Sequence, residues 1–300
     1  MGARKRWWSM LESEGENRMI KQIVKVLKEI QEISGYKVIE NTEQSNQAFY
    51  VLGKLETVRL VETKEAIVTI YHNNGEYLGT SSFIVSHNLT KKALMEKIND
   101  AIFAAKFVKN KPFELVKGEK KKTFKSKPIN EKPVEIIEEI ATIFNNEKTD
   151  NAKFNALEIF LNTKISHLVN SNGVDLTKTI HNIEIEAIPS YDGPNDKVEL
   201  YKNYKYLSYD KNQITEDAKN AIKDVEARYN AKKLENVATI DIVLNNHDVE
   251  EFFYNAIADY SYSSVYNGST DKKINDMIQS DDAKTKLNIA FAPSSSANAF

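Results

Sequence analysis

Two long runs of alternating apolar and polar residues, 49–86 and 155–188, constrain the fold of this chain more than any other feature. Alternation sends successive side chains to opposite faces of an extended strand, so each run predicts strands with one face toward a core. Asn73-Asn74-Gly75 interrupts the first run as a tight turn and Gly79 stands near a second, which makes that run an antiparallel meander. Asn170-Ser171-Asn172-Gly173 turns the second run, and a further hairpin bends at Asp192-Gly193-Pro194.

Helical periodicity flanks both runs. Ile20, Ile23, Val24, Leu27 and Ile30 share one helix face, which stops at Ser34-Gly35. Asn88 or Thr90 caps a second helix with Leu94, Ile98, Ala101, Ile102 and Ala105 as its buried stripe. Val134, Ile137, Ile140, Ala141 and Phe144 predict a third, and Thr215 caps a fourth that runs to about Asn230. Between Lys109 and Lys132 the periodicity disappears and lysines gather around Lys120-Lys121-Lys122, as in an exposed linker. The fold class is therefore α+β. An amino-terminal domain with the meander occupies 19–110, a Lys/Pro-rich linker 111–133, a middle α+β domain 134–236, and the start of a β-rich carboxy-terminal domain 237–300. Residues 1–18 read as a disordered extension before Met19, the expected natural start. A last strand over 287–291, close to the final residue, predicts that the third domain is incomplete.

Composition excludes several functions. A formal charge of -2 gives no basic excess for nucleic acid, and the lysine cluster has no aromatic platform beside it. Without cysteine there is no disulfide, thiol nucleophile or thiolate metal site, which suits a reducing interior and a cytoplasmic location. No apolar run approaches the roughly 20 residues of a membrane span, and the basic start lacks a secretory apolar core.

The segment 238–260 has the form of a mount for a reactive group. Ile240, Ile242 and Leu244 alternate as in a short buried strand, and Asn245-Asn246 breaks it. Asp248 with Glu251 resembles a capping box opening a helix at Val249, with Phe252, Phe253, Ala256 and Ile257 as the apolar stripe. Tyr254, Asn255 and Asp259 lie off that stripe and form no catalytic set. The phenol stays protonated near neutral pH, the amide is no base, and one carboxylate falls short of the three protein ligands of a catalytic zinc.

Other constellations are equally spare. His72, His87, His167, His181 and His247 include no helical metal pair, and HExxH is absent. His247 and Glu251 stand one turn apart, as two ligands or as capping groups. Glu184 and Glu186 share a strand face, as an acid pair or as a solvated face. Tyr201, Tyr204, Tyr206 and Tyr209 either stack a ligand or pack across strands. Gly79-Thr80-Ser81 lacks the closing glycine of a nucleophile elbow, Ser294–Ser296 sits in the tail, and no phosphate-cradling glycine motif occurs.

Three stretches together resemble the TldD/PmbA family of metallopeptidase-like proteins, once called modulators of DNA gyrase. They are ETKEAIVTIYHNNGEYLGTSSFIVSHNLTKKALMEKINDAIFAAKFV, the hairpin ISHLVNSNGVD at Ile165 to Asp175, and the segment 238–260. The resemblance implies that an active member is a zinc peptidase with HExxxH on the helix after the first carboxy-domain strand. Aligned by that strand, the motif's first histidine falls at Tyr254, its glutamate at Asn255 and its second histidine at Asp259. All three are replaced, which matches the PmbA or TldE-like branch. The resemblance thus implies no catalytic, cofactor or metal residue in this chain, zinc in a TldD-type peptidase subunit as partner or else a homodimer, and unfolded peptide as substrate. Charge and hydropathy add the expectation of no membrane and no direct nucleic acid as partners. An active zinc peptidase with other ligands, and a nonenzymatic protein acting on gyrase or a toxin–antitoxin component, are the alternatives.

Overall fold

In the computed structural model the alternating runs become strands of one eight-stranded sheet. The structure describes residues 18–86, 89–118, 121–129, 132–233, 238–244, 246–273, 275–287 and 289–290. They divide into two units, one ending at Ala231 and one beginning at Lys232. The first unit contains α1 (Arg18–Lys28), β1 (Gly35–Val51), β2 (Lys54–Asn73), β3 (Leu78–Ser86), α2 (Lys91–Ala105) and β4 (Lys122–Lys125). It continues with α3 (Pro133–Asn146), β5 (Ala152–Asn170), β6 (Asp175–Asp192), β7 (Lys197–Glu199), β8 (Lys202–Tyr206) and α4 (Lys211–Asn230).

The sheet runs β3-β2-β1-β5-β6, and the outer edge of β6 is taken in turn by β4, β8 and β7. The expected α+β class and the antiparallel meander are both present, but the meander begins at Gly35, earlier than the alternation showed. β1 pairs with β2 on one side and with β5 on the other, along Lys37–Val51. One sheet therefore spans the stretches read as an amino-terminal and a middle domain. The intervening lysine-rich segment lies along this sheet where it is described. Asn110 bridges Leu78, Gly118 N–H donates to Asn172 O, β4 runs parallel to β6, and Ser126 Oγ accepts from His181 N–H.

All four helices pack on one face, over two apolar clusters. Ile20, Ile23 and Leu27 of α1 and Leu94, Ile98 and Ile102 of α2 cover Tyr36, Val38, Ala66, Val68 and Ile70. Ile140 and Phe144 of α3 and Ile214, Ala218 and Ile222 of α4 cover Ala48, Leu157, Ile159, Leu161, Ile183 and Ile185. The even residues of β1 supply both clusters, as period two requires.

Local chemistry fixes the helix ends. Thr90 Oγ1 accepts from Ala93 N–H and caps α2, one of the two expected caps; Asn88 lies outside the described residues. Asp210, rather than Thr215, caps α4, accepting from Asn212 and Gln213 N–H. Thr215 sits one turn inside and donates to Lys211 O. Gly79 lies within β3 and not at a turn: a Cβ there would stand 2.0 Å from Ala105 O at the end of α2. Gly79→Ala therefore forces helix and strand apart, with an expected loss of about 2 kcal/mol in chemical denaturation.

The second unit contains α5 (Asn246–Asp259) and α6 (Tyr262–Asn267). The strand expected at Ile240–Leu244 is absent: no described strand of this unit pairs with it, and Ile242 and Val243 are 73% and 96% exposed. α5 opens at Asn246, so Asp248 lies in its first turn, where a carboxylate meets the positive end of the helix dipole, and not at the cap. The expected stripe is not fully buried either, since Phe252 is exposed. Leu287, Ile289 and Ala290 are not in a strand; Phe291, the tail serines, His87 and the extension before Arg18 lie outside the described residues. Among the described residues no helix is long and apolar enough to cross a membrane.

Candidate functional site

The sheet face opposite the helices carries a cluster of functional groups. Register stacks them in rows across neighbouring strands. Thr57, Phe49, Glu158, Glu186 and Asn203 form one row. Arg59, Gln47, Phe160, Glu184 and Lys205 form the next, followed by Val61, Ser45, Asn162 and Asn182.

Glu158 and Glu186 are directly opposed, an arrangement in which like charges repel. Burial, followed by the Glu186 carboxylate, pushes the Glu158 carboxyl above the ordinary glutamate range, while Arg59 pulls it down. The Arg59 guanidinium lies 4.6 Å from the Phe49 ring centroid, and Phe49 meets Phe160 edge-on at 5.8 Å. Glu184 accepts from Asn203 Nδ2 at 3.1 Å and lies 3.6 Å from Lys205 Nζ. Ser45 Oγ donates to Asn162 Oδ1 at 2.6 Å and accepts from Gln47 Nε2.

These groups offer carboxylates, amides, one guanidinium and two aromatic rings on an extended surface. A raised carboxyl pKa means that the folded chain holds the proton more tightly than the unfolded one, so stability falls as pH rises through the ordinary glutamate range. Glu158→Gln is expected to raise the melting temperature at about pH 7 and to leave it unchanged at about pH 3.5, where both forms are neutral.

At the far end of this face the stretch 111–118 crosses the sheet. Phe113 meets Tyr71 edge-on at 5.8 Å, and an open groove of about 440 Å³ lies among Tyr71, Tyr77, Phe113, Lys117 and Asn172.

The residues singled out in the sequence are spread widely. Tyr254, Asn255 and Asp259 lie on α5, as the resemblance implied, with Tyr254 and Asp259 both exposed. Residues five apart on a helix diverge by about 140°. A phenol, an amide and one divergent carboxylate do not fit a zinc ion. Among the described residues no three His, Asp or Glu side chains converge as metal ligands. His247 and Glu251 are one turn apart on α5.

The three other described histidines are each engaged locally. His72 Nδ1 meets Asn74 Oδ1, His167 Nε2 meets Asp175 Oδ1, and His181 Nδ1 meets Thr163 Oγ1. Burial, then Lys125, lowers the His181 pKa. Tyr204 and Tyr206 stack on each other and pack into the core, where burial raises both phenols and the Tyr206 hydroxyl donates to Asp217. Tyr209 also packs against this core, and Tyr201 is exposed. Glu184 and Glu186 share a face as expected. Glu158, Arg59, Phe49 and Phe160 were missed, because only the pairing register brings them beside the pair.

This sheet, with its helices on one face, is a fold shared with solved structures of TldE and of proposed DNA gyrase modulators. TldE from Thermococcus kodakarensis aligns with a TM-score of 0.54 at 16% identity, over 70% of this chain and 48% of that one. A proposed modulator of DNA gyrase from Thermotoga maritima aligns at 0.55 with 9% identity, over 72% and 49%. A second, from Bacteroides thetaiotaomicron, aligns at 0.55 with 15% identity, over 72% and 51%. The chain thus spans about half the length of the structures it matches, and their names agree with the family resemblance in the sequence. No family model and no curated protein matches the chain.

Proposed function

We propose that the chain is a noncatalytic, TldE-like member of the TldD/PmbA family, working in the cytoplasm beside a zinc-bearing, TldD-type peptidase subunit. The observation that carries this reading is the fold shared with TldE, in a chain whose α5 has Tyr254, Asn255 and Asp259 at the positions where the resemblance places HExxxH. In this role the helix-free sheet face forms a wall for unfolded peptide. Its carboxylates and amides take main-chain and basic groups, and Phe49 and Phe160 take apolar ones.

The test is reconstitution with a TldD-type protein carrying HExxxH. The two are expected to copurify and to cleave an unstructured peptide, and Arg59→Glu, a charge reversal on the wall, should raise KM and leave kcat nearly unchanged. Failure to copurify, or cleavage indifferent to this chain, would count against the reading.

A second reading draws on two fold neighbours described as gyrase modulators. It expects the chain to retain purified gyrase in a pull-down with no peptidase subunit present.

A further inference from the structure

Among the described residues the outer edge of β2 has no strand partner along Lys54–Thr63. β2 meets β1 along its whole length, whereas β3 covers only Glu65–Asn73, and no described strand pairs with the rest. Half of the backbone N–H and C=O groups of this stretch point away from the sheet, a template for another strand.

Its side chains are unusual for an edge. Leu55, Val58 and Leu60 are 54%, 63% and 77% exposed. The register puts all three on the helix-bearing face: Val58 stands opposite Ala48, Leu60 opposite Asn46, and a bulge at Phe49/Tyr50 sets Leu55 opposite Tyr50. They form an apolar strip that continues the core face past the helices. Around these apolar residues Lys54, Glu56, Arg59 and Glu62 alternate in sign, so the strand carries both partners of an ion pair.

We propose that this edge pairs with the same edge of a second copy of the chain, antiparallel about a two-fold axis at Val58, joining two sheets into one. A two-fold axis perpendicular to a sheet keeps each face on its own side, so residues of one face oppose each other. Centred on Val58, the pairing sets Val58 against its own copy, Leu55 against Leu60 on both sides of the axis, and Thr57 against Arg59. Six apolar side chains meet and no like charges are opposed. Centring on Arg59 sets guanidinium against guanidinium, and centring on Leu60 sets Val58 twice against Glu62. The composition of the strand thus selects one partner and one register. The inference does not depend on the peptidase reading, since the partner is the chain itself.

The chain has no cysteine, so Val58→Cys introduces a single thiol. Opposed Cα atoms in an antiparallel pair lie about 4.5–5.5 Å apart, within the range a disulfide spans. Thr63 is exposed, and its two copies would stand ten residues apart along the strands, about 33 Å. Under mild oxidation of the full chain, V58C is expected to form a covalent dimer at least about tenfold faster than T63C. In sedimentation the unmodified chain should be a dimer, and V58D a monomer with an unchanged far-ultraviolet circular dichroism spectrum. Equal crosslinking of the two cysteine variants overturns the proposal. So does an unmodified chain that stays monomeric at about 100 µM, including one that instead captures an unrelated extended peptide at this edge.

Discussion

Phe144→Ala is expected to destabilise the first unit by about 4 kcal/mol, the cost of a large cavity in a packed core. Phe144 is fully buried on α3, with Phe154 edge-on at 5.0 Å and Tyr204 at 6.3 Å between ring centroids. It lies where α3, β5 and β8 meet, so the space left by its ring borders all three elements. Phe144→Leu keeps much of the volume and should cost less than half as much. Guanidinium denaturation followed by far-ultraviolet circular dichroism measures both, with a reduced midpoint at an unchanged slope.

The second large effect is electrostatic. Glu40 is 4% exposed on β1, where its Oε2 accepts from Ile20 N–H in the first turn of α1 and its Oε1 lies 3.3 Å from Lys64 Nζ. The carboxylate both caps the helix and ties it to the sheet. Glu40→Ala leaves a buried N–H without its acceptor and takes a counter-charge from Lys64, at an expected cost of about 3 kcal/mol. Glu40→Gln keeps an acceptor and should recover part of the loss. Hydrogen exchange at the α1 amides should rise more in Glu40→Ala than exchange in β5 or β6, because the anchor is local to that helix.

Glu40 also shows why half of β1 could not be read from the sequence. Its central residues, Glu40 to Gln47, are polar on both faces and give no alternation. Their partners come from distant strands: Ser45 bonds Asn162, Asn41 accepts from Ser166, and Glu43 pairs with Lys164. Such satisfaction is non-local, so a local pattern cannot reveal it. α2, α3 and the β5–β6 hairpin were legible because each carries its own apolar period, with a Thr90 cap, an amino-terminal Pro133 and a glycine turn respectively. Ile240–Leu244 failed in the opposite sense: it has the alternation of a strand but no strand beside it to complete the hydrogen bonds. At the candidate site the same rule holds. Glu184 and Glu186 follow from spacing alone, whereas Glu158 and Arg59 enter only through the register of β5 and β2.

In the proposed role this chain contributes a wall and a subunit, and its partner the chemistry. The most direct measurement is zinc content together with cleavage of an unstructured peptide, first on the purified chain alone and then with a TldD-type subunit. The chain alone is expected to hold no stoichiometric zinc and to show no turnover, with turnover appearing when the HExxxH subunit is added. Stoichiometric zinc in the isolated chain, with peptide cleavage that a chelator abolishes, would contradict it.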